Sequence, residues 1–478
     1  MANINKKSIR SELDQLKSNF KQLHQHKKIS SEALVLIKSL FMLLDVLVAI
    51  FLEKKTNKNA ANSSKPPSQT EKDDSALTQK GSKGKGKRET NTTAENTRTI
   101  ETVTVLRVDH CDVCSEPLKS VPCRCHERRT KIDIVFEKTV THVDAEIKRC
   151  PACQATVKAQ HPKDMPGPLQ YGNGLKAYVI QLLIAQIVPL NRVQKMIKTL
   201  IGKTIAESTL LGYVMQLYLA LADWEQSAMG ELLNMRSLHT DETSMRVNKK
   251  NHWAHVYASG DITLKFLHPK RGKKAIEGID IIPRYGGIVI HDCWASYLSY
   301  EHCHHGLCGS HLLRELTFII EANGYRWAKN MKRLLKRTCK KVSKRKAKKL
   351  FSKEYERLQK NYRSILTRGE KELPAIPEKS SGRRGKIAKS DAHNLLERLQ
   401  KHEPSVLLFA KNSYVPFTNN RAERDLRMGK VKQKVSGCFR SDKYAKAYCR
   451  ISSYLQTMAN KGINPLIAVQ MVLNGEVK

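Results

Sequence analysis

A multidomain α+β chain is predicted from three features of this sequence. Apolar residues recur at helical spacing near the N-terminus, the stretch from Ser237 to Trp294 is β-rich, and helical periodicity returns after Ser310. At 478 residues the chain can bury several cores, so two or three domains joined by linkers are expected. Lys and Arg number 85 against 45 Asp and Glu, a net charge of +40, which no fold requires and which calls for a polyanionic partner or an acidic membrane surface. Residues 321–390 alone carry 24 basic against 6 acidic side chains, a net of +18, and that concentration favours nucleic acid.

Residues 1–55 read as a helical, coiled-coil dimerisation segment. Ala33 to Leu52 is apolar except for Lys38, Ser39 and Asp45, about the twenty residues a membrane helix needs. Lys38 and Asp45 share one side of a helix, leaving Leu36, Leu40, Leu43, Leu47 and Ile50 on the other. Charges at mid-membrane are costly, so an association helix of a homo-oligomer is the first reading and a membrane span the second. No short apolar core with a small-residue cleavage site opens the chain, so a cytoplasmic protein is expected. Residues 56–99 turn to Asn, Ser, Lys, Pro and Gly, including NSSKPPS at 62–68 and KGSKGKGKR at 80–88, and read as a disordered basic linker.

Residues 100–162 alternate over Ile132, Ile134 and Phe136 and again over Val143, Ala145 and Ile147, which predicts short strands. They lie between CDVC and CPAC, so Cys111, Cys114, Cys150 and Cys153 can form the tetrahedral thiolate site of a structural zinc ribbon. The 35 residues between the pairs exceed the usual spacing, and Cys123 and Cys125 inside that gap compete as ligands. A second dense group, Cys293, Cys303, Cys308, His302, His304, His305 and His311, is poorly spaced and reads as packing and surface residues.

Residues 163–230 form a helical unit in which GKTIAEST separates two apolar-periodic segments. Thr204 and Glu207 stand at capping-box spacing. The outline is helix-turn-helix, but the second helix looks too apolar to lie exposed in a groove, so plain helical packing is the first reading.

Farther on, Asp241 sits in the alternating run SLHTDETSMRV, and Gly260-Asp261 separates two strand-like runs as a hairpin turn. Asp292 follows the buried-strand pattern GGIVI by one residue, where a carboxylate must be hydrogen-bonded or metal-bound. Glu423 lies in TNNRAERDLR, where Asn419 or Asn420 can cap a helix bearing Arg421, Arg424 and Arg427. Three carboxylates on two strands and a helix can hold two divalent cations about 4 Å apart, an arrangement suited to phosphodiester cleavage without a covalent protein nucleophile. On spacing alone Glu242 and Asp425 remain equal rivals.

The order of these motifs resembles the insertion sequence 66 family of bacterial transposases over nearly the whole chain. NSSKPPS, PLNR at 189–192, HTDETSMRV, IHDCWASY, CGSHLLREL at 308–316 and FTNNRAERDLR at 417–427 carry the resemblance. It implies a DDE transposase with a ribonuclease-H-like catalytic domain at 231–321 and 401–435, a basic helical insertion at 322–400 and a C-terminal helical region at 436–478. It also implies catalytic, Mg²⁺- or Mn²⁺-binding roles for Asp241, Asp292 and Glu423, with His311 near the site. Its implied partners are element-end and target DNA and accessory proteins of the same element. Arg421, Arg424, Lys344, Arg345 and Lys346 are the DNA-contact candidates.

Overall fold

A computed structural model describes residues 6–25, 30–63, 103–132, 137–376 and 389–476. The chain divides into two compact units: the N-terminal helices with Ala222–Asn460, and the segment up to Leu221 with the C-terminal helix. Most of the expected linker, 64–99, and the expected strand positions Ile134 and Phe136 lie outside the described residues.

In the first unit, α1 (Lys6–Gln25) and α2 (Ser31–Lys54) pair through Lys17 and Asp45, 2.5 Å apart, and an edge-on contact of Phe20 with Phe41. Ser30 caps α2 by accepting the Ala33 amide. Val46, Ala49 and Leu52 are buried, whereas Leu36, Leu40, Leu43 and Leu47 form an exposed stripe. By length and composition α2 could cross a membrane. Just past it the chain folds back: Asn62, the first residue of NSSKPPS, is buried and donates to Glu321 at 2.6 Å.

In the second unit, β1 (Ile147–Arg149) and β2 (Thr156–Lys158) form a hairpin around CPAC. Of the other predicted strand positions in this region, Ile132, Val143 and Ala145 carry no regular structure. Helices α3 (Asn173–Ile180), α4 (Leu190–Ile201) and α5 (Glu207–Ala220) follow. The expected capping box is not formed, because α5 begins only at Glu207, with Ala206 at its N-cap.

Back in the first unit, α6 (Ala222–Leu233) leads into β3 (Ser237–Val247), β4 (Lys250–Ser259) and β5 (Ile262–His268). Asn248 and Lys249, both at positive φ, turn β3 into β4, and Gly260 at φ 51° opens the next two-residue turn. After α7 (Lys273–Ile279) come β6 (Ile288–His291), α8 (Ala295–Leu298) and β7 (His304–Leu307). The sheet order is β5-β4-β3-β6-β7, antiparallel through β3 and parallel from β3 outward to β7. Parallel neighbours need crossovers, which α7 and α8 supply.

Helix α9 (Gly309–Asn323) is followed by α10 (Arg326–Lys344), α11 (Ser352–Glu372), α12 (Asp391–Lys401) and α13 (Glu403–Lys411). Trp327, Met331, Leu335 and Val342 of α10 share a core with Tyr362, Leu395, Leu407 and the sheet residue Ile290, while Lys329, Arg333, Lys336, Arg337, Lys340 and Lys341 stay exposed. Glu53 of α2 accepts from the Asp391 and Ala392 amides and from Asn323, a buried carboxylate at the positive end of α12. Next come α14 (Asn420–Ser436), over β3 and β4, and α15 (Asp442–Asn460), along β5. Ser453 and Thr457, one turn apart on α15, accept the outward amides of Lys265 and Thr263, so this edge strand offers no free ladder there. In the second unit α16 (Pro465–Leu473) packs on α3 and α5.

Within the sheet His255 is fully buried opposite Glu242, and burial pushes its imidazole down to about 4. A buried neutral histidine stabilises the fold only while the unfolded chain is also neutral. Stability is therefore present above about pH 6.5 and lost as the pH falls toward 4, by on the order of 3 kcal/mol. Urea unfolding across this range should show that slope in wild type and a flatter one in His255→Gln; equal slopes would refute it.

Candidate active site

The parallel pairing of β3 with β6 matches His239 to Ile290. Two residues on, Asp241 within β3 and Asp292 one residue past the end of β6 fall level with each other. Strands in a sheet lie about 4.8 Å apart, so the two carboxylates are close. At Asp292 the chain turns sharply: Oδ1 accepts the Trp294 amide at 3.2 Å, and Cys293 takes φ 72°, a left-handed conformation uncommon for a side-chain-bearing residue.

The adjoining histidines are held in one tautomer. His291 Nδ1 accepts the Cys293 amide, so Nε2 carries the proton and faces His305 Nδ1 at 3.1 Å. Burial, reinforced by His305, drives His291 down to about 3 and keeps it neutral.

Glu423 lies in the first turn of α14 and completes the group. The Asp241 carboxyl is pushed well above its usual range, first by burial and then by Glu242, Asp292 and Glu423. Glu423 Oε1 is buried without a hydrogen-bond partner, as is His311 Nδ1, 3.7 Å away. Crowded carboxylates and an orphaned oxygen are what a divalent cation would resolve, so these residues fit one.

Both rival acids serve the fold instead. Glu242 alternates to the other face of β3, accepting from the Tyr297 hydroxyl at 2.5 Å and from Arg271 at 2.8 Å. The Arg271 guanidinium is itself stacked between Trp253 and Trp294. Asp425 is buried, accepts from the Thr263 hydroxyl at 2.8 Å and lies near Arg421 and Arg424.

Sequence reasoning missed the residue that ties these elements together. Asn419 is buried at the N-cap of α14, yet its side chain makes no capping bond. Its Nδ2 donates to the Thr240 carbonyl and its Oδ1 meets His239 Nδ1, each at 2.8 Å, while its amide donates to Cys308 Sγ at 3.2 Å. One residue, through its side chain and its backbone amide, thus joins the strand of Asp241, the start of α9 and the helix of Glu423. The Asn-Asn pair in the sequence was the only signal, and it pointed to a cap. Among the described residues, the metal-type donors within 4.8 Å of one another are Cys308, His311 and Glu423; two of these came from the group read as packing.

The sequence profile of the transposase IS66 family matches residues 168–447, more than half of the chain and all of this site. The chain belongs to that family. No curated protein matches it. The family is one of DDE transposases, enzymes that cleave nucleic acid. Of the DNA-contact candidates in this IS66 transposase, Lys344, Lys346 and Arg424 are exposed. Arg421 instead bonds the Gly260 and Ile262 carbonyls, and Arg345 bonds Glu354 and stacks on Phe351. Outside the catalytic region the two CxxC segments form matching turns. The Ser115 amide returns to the Cys111 carbonyl and the Gln154 amide to that of Cys150, with Ser115 and Gln154 near φ 60°. Backbone amides, those of Cys114 and Cys153 foremost, hold the Cys111 and Cys150 thiols below their usual range.

Asn419→Ala removes two side-chain hydrogen bonds and leaves the buried Thr240 carbonyl unpaired, so it should cost about 2 kcal/mol in urea unfolding. A change within error would show that the three elements are held together some other way.

Proposed function

We propose that this chain cleaves DNA strands at the ends of its own insertion sequence and joins the 3′ ends to target DNA, with Asp241, Asp292 and Glu423 holding Mg²⁺ or Mn²⁺. The observation that carries the reading is the level placement of Asp241 on β3 and Asp292 just past the end of the parallel strand β6, with Glu423 near enough to shift the Asp241 carboxyl. The strand order β5-β4-β3-β6-β7, with its antiparallel half followed by a parallel half, supports a ribonuclease-H-like catalytic domain interrupted by α10 to α12.

Bound cations at such a site supply charge stabilisation on the scissile phosphate and an activated oxygen nucleophile. The protein's own part is positional. Asp241 is fixed by the sheet and Asp292 by the turn that follows β6, Asn419 fixes the start of the helix bearing Glu423, and His311 stands beside Glu423 at 3.7 Å. Burial and the Arg314 charge keep that imidazole below its usual range. Arg424, Lys344 and Lys346 are placed to neutralise DNA phosphates, together with the exposed basic face of α10.

The CxxC turns support a structural zinc at Cys111, Cys114, Cys150 and Cys153, because amides donating to sulfur favour the thiolate a metal needs. Cys123 approaches His126 instead, at 3.7 Å. The exposed stripe Leu36, Leu40, Leu43 and Leu47 has the four-three-four spacing of a coiled-coil seam, which supports a homo-oligomer. A cytoplasmic location and accessory proteins of the same element follow from the family reading.

Purified protein with Mn²⁺ should nick and join labelled element-end duplexes. Asp292→Asn should lower the rate by at least about a thousandfold, equivalent to about 4 kcal/mol of barrier, and leave binding nearly intact. Equal rates would refute the site. Cys150→Ser should lose bound zinc by elemental analysis; unchanged stoichiometry would move the ligand set to Cys123 and Cys125.

A further inference from the structure

Helices α4 and α5 are joined by a tight, pinned turn. Gly202 ends α4 at φ 77°, its amide returning to the Lys198 carbonyl, and the Gln194 side chain donates to the Ile205 carbonyl at 2.8 Å. The apolar sides of α5, including Leu210, Val214 and Leu217, are buried, and α3, α4 and α16 pack on it. What remains exposed on α5 is Glu207, Ser208, Thr209, Gly212 and Gln216, with Leu219 and Ala220 at its last turn. Most of the apolar composition that argued against an exposed helix belongs to its covered sides, with Leu219 the exposed exception.

Gly212 is informative. It lies in the helix interior, where glycine is the least favoured residue after proline, and a side chain there would meet nothing within 4 Å. No packing inside the chain calls for its small size; a partner approaching the backbone closely would. The surroundings state the partner's charge: Arg192, Lys195, Lys198 and Lys203 are all exposed on α4 and the turn, with Glu207 the acidic residue at the start of α5.

We propose that α4, its turn and α5 form the duplex-reading surface of this transposase, with α5 in the major groove and α4 along the phosphates. The idea takes from the functional reading only that the partner is DNA. Ser208 and Gln216 then contact base edges, Gly212 permits close approach, and Arg192, Lys195 and Lys198 neutralise backbone charge.

The test uses the full-length protein in EDTA, so binding is measured apart from cleavage. Duplexes enriched from a pool with a randomised centre are compared with unrelated duplexes over a range of salt. Replacing Arg192, Lys195 and Lys198 together by alanine should weaken both kinds of duplex and lower the salt slope by about 2.7, three phosphate contacts at about 0.9 each. Ser208→Ala with Gln216→Ala should cut the preference for the enriched duplex about tenfold or more and spare unrelated binding. Gly212→Met should raise the melting temperature, as an unstrained helix substitution does, while abolishing that preference; opposite signs separate contact from misfolding. Failure to enrich any sequence, or an unchanged preference in both the Ser208/Gln216 and Gly212 variants, would overturn the proposal. Binding that survives in Asp292→Asn while wild type cleaves nothing would sink the catalytic reading and leave this one standing.

Discussion

The parallel pairing of two interior strands, β3 and β6, brings Asp241 and Asp292 close together, and that juxtaposition governs their surroundings. Burial and the neighbouring carboxylates push the Asp241 carboxyl well above its usual range. The sheet cannot slip to relieve them, because a one-residue shift would turn Leu238 and Val289 out of the core. The repulsion is therefore built in, and Glu423 adds to it.

Everything around the trio limits how far that tension can relax. Glu242 is held by Tyr297 and by an arginine clamped between two tryptophans, and Asp425 is anchored to Thr263. Glu242 is engaged through both carboxylate oxygens, whereas Asp425 is held through Oδ2 and leaves its buried Oδ1 without a hydrogen-bond partner among the described residues. Asn419 works in the same sense across a larger span. Its bonds reach a strand and a helix start that lie 179 and 111 residues away in the chain.

The basic insertion solves a different problem. Helices α10 to α12 must bury enough apolar surface to hold themselves beside the sheet while keeping lysine and arginine in water. Period-3.6 segregation does both: Trp327, Met331 and Leu335 face inward and the cations face out. Glu53, reaching from α2 to the amides of α12, ties the N-terminal hairpin to this insertion.

By itself the sequence determined the α+β organisation, the strand character around Asp241 and Asp292, the turn at Gly260, the exposed leucine stripe and the charge of the insertion. These are local properties, set by periodicity, turn chemistry and composition. The choice of Asp241 over Glu242 and of Glu423 over Asp425 rested on motif resemblance, because each pair is adjacent or nearly so in sequence. Only tertiary structure shows what each rival touches: strand alternation sends Glu242 to the opposite face, and Thr263 holds Asp425. Asn419 was legible merely as a helix cap and Cys308 as packing, and His311 was placed near the site only by the resemblance, because their partners come from elements far apart in the chain. The strand character expected at Ile132, Val143 and Ala145 and the capping box at Thr204 did not form, since neither alternation nor spacing suffices without a neighbouring strand or a helix that starts one residue after its cap. Conversely, α5 reads as uniformly apolar until its neighbours bury Leu210, Val214 and Leu217, and only then do Ser208, Gly212 and Gln216 stand out on the face left open, with Leu219 at its end.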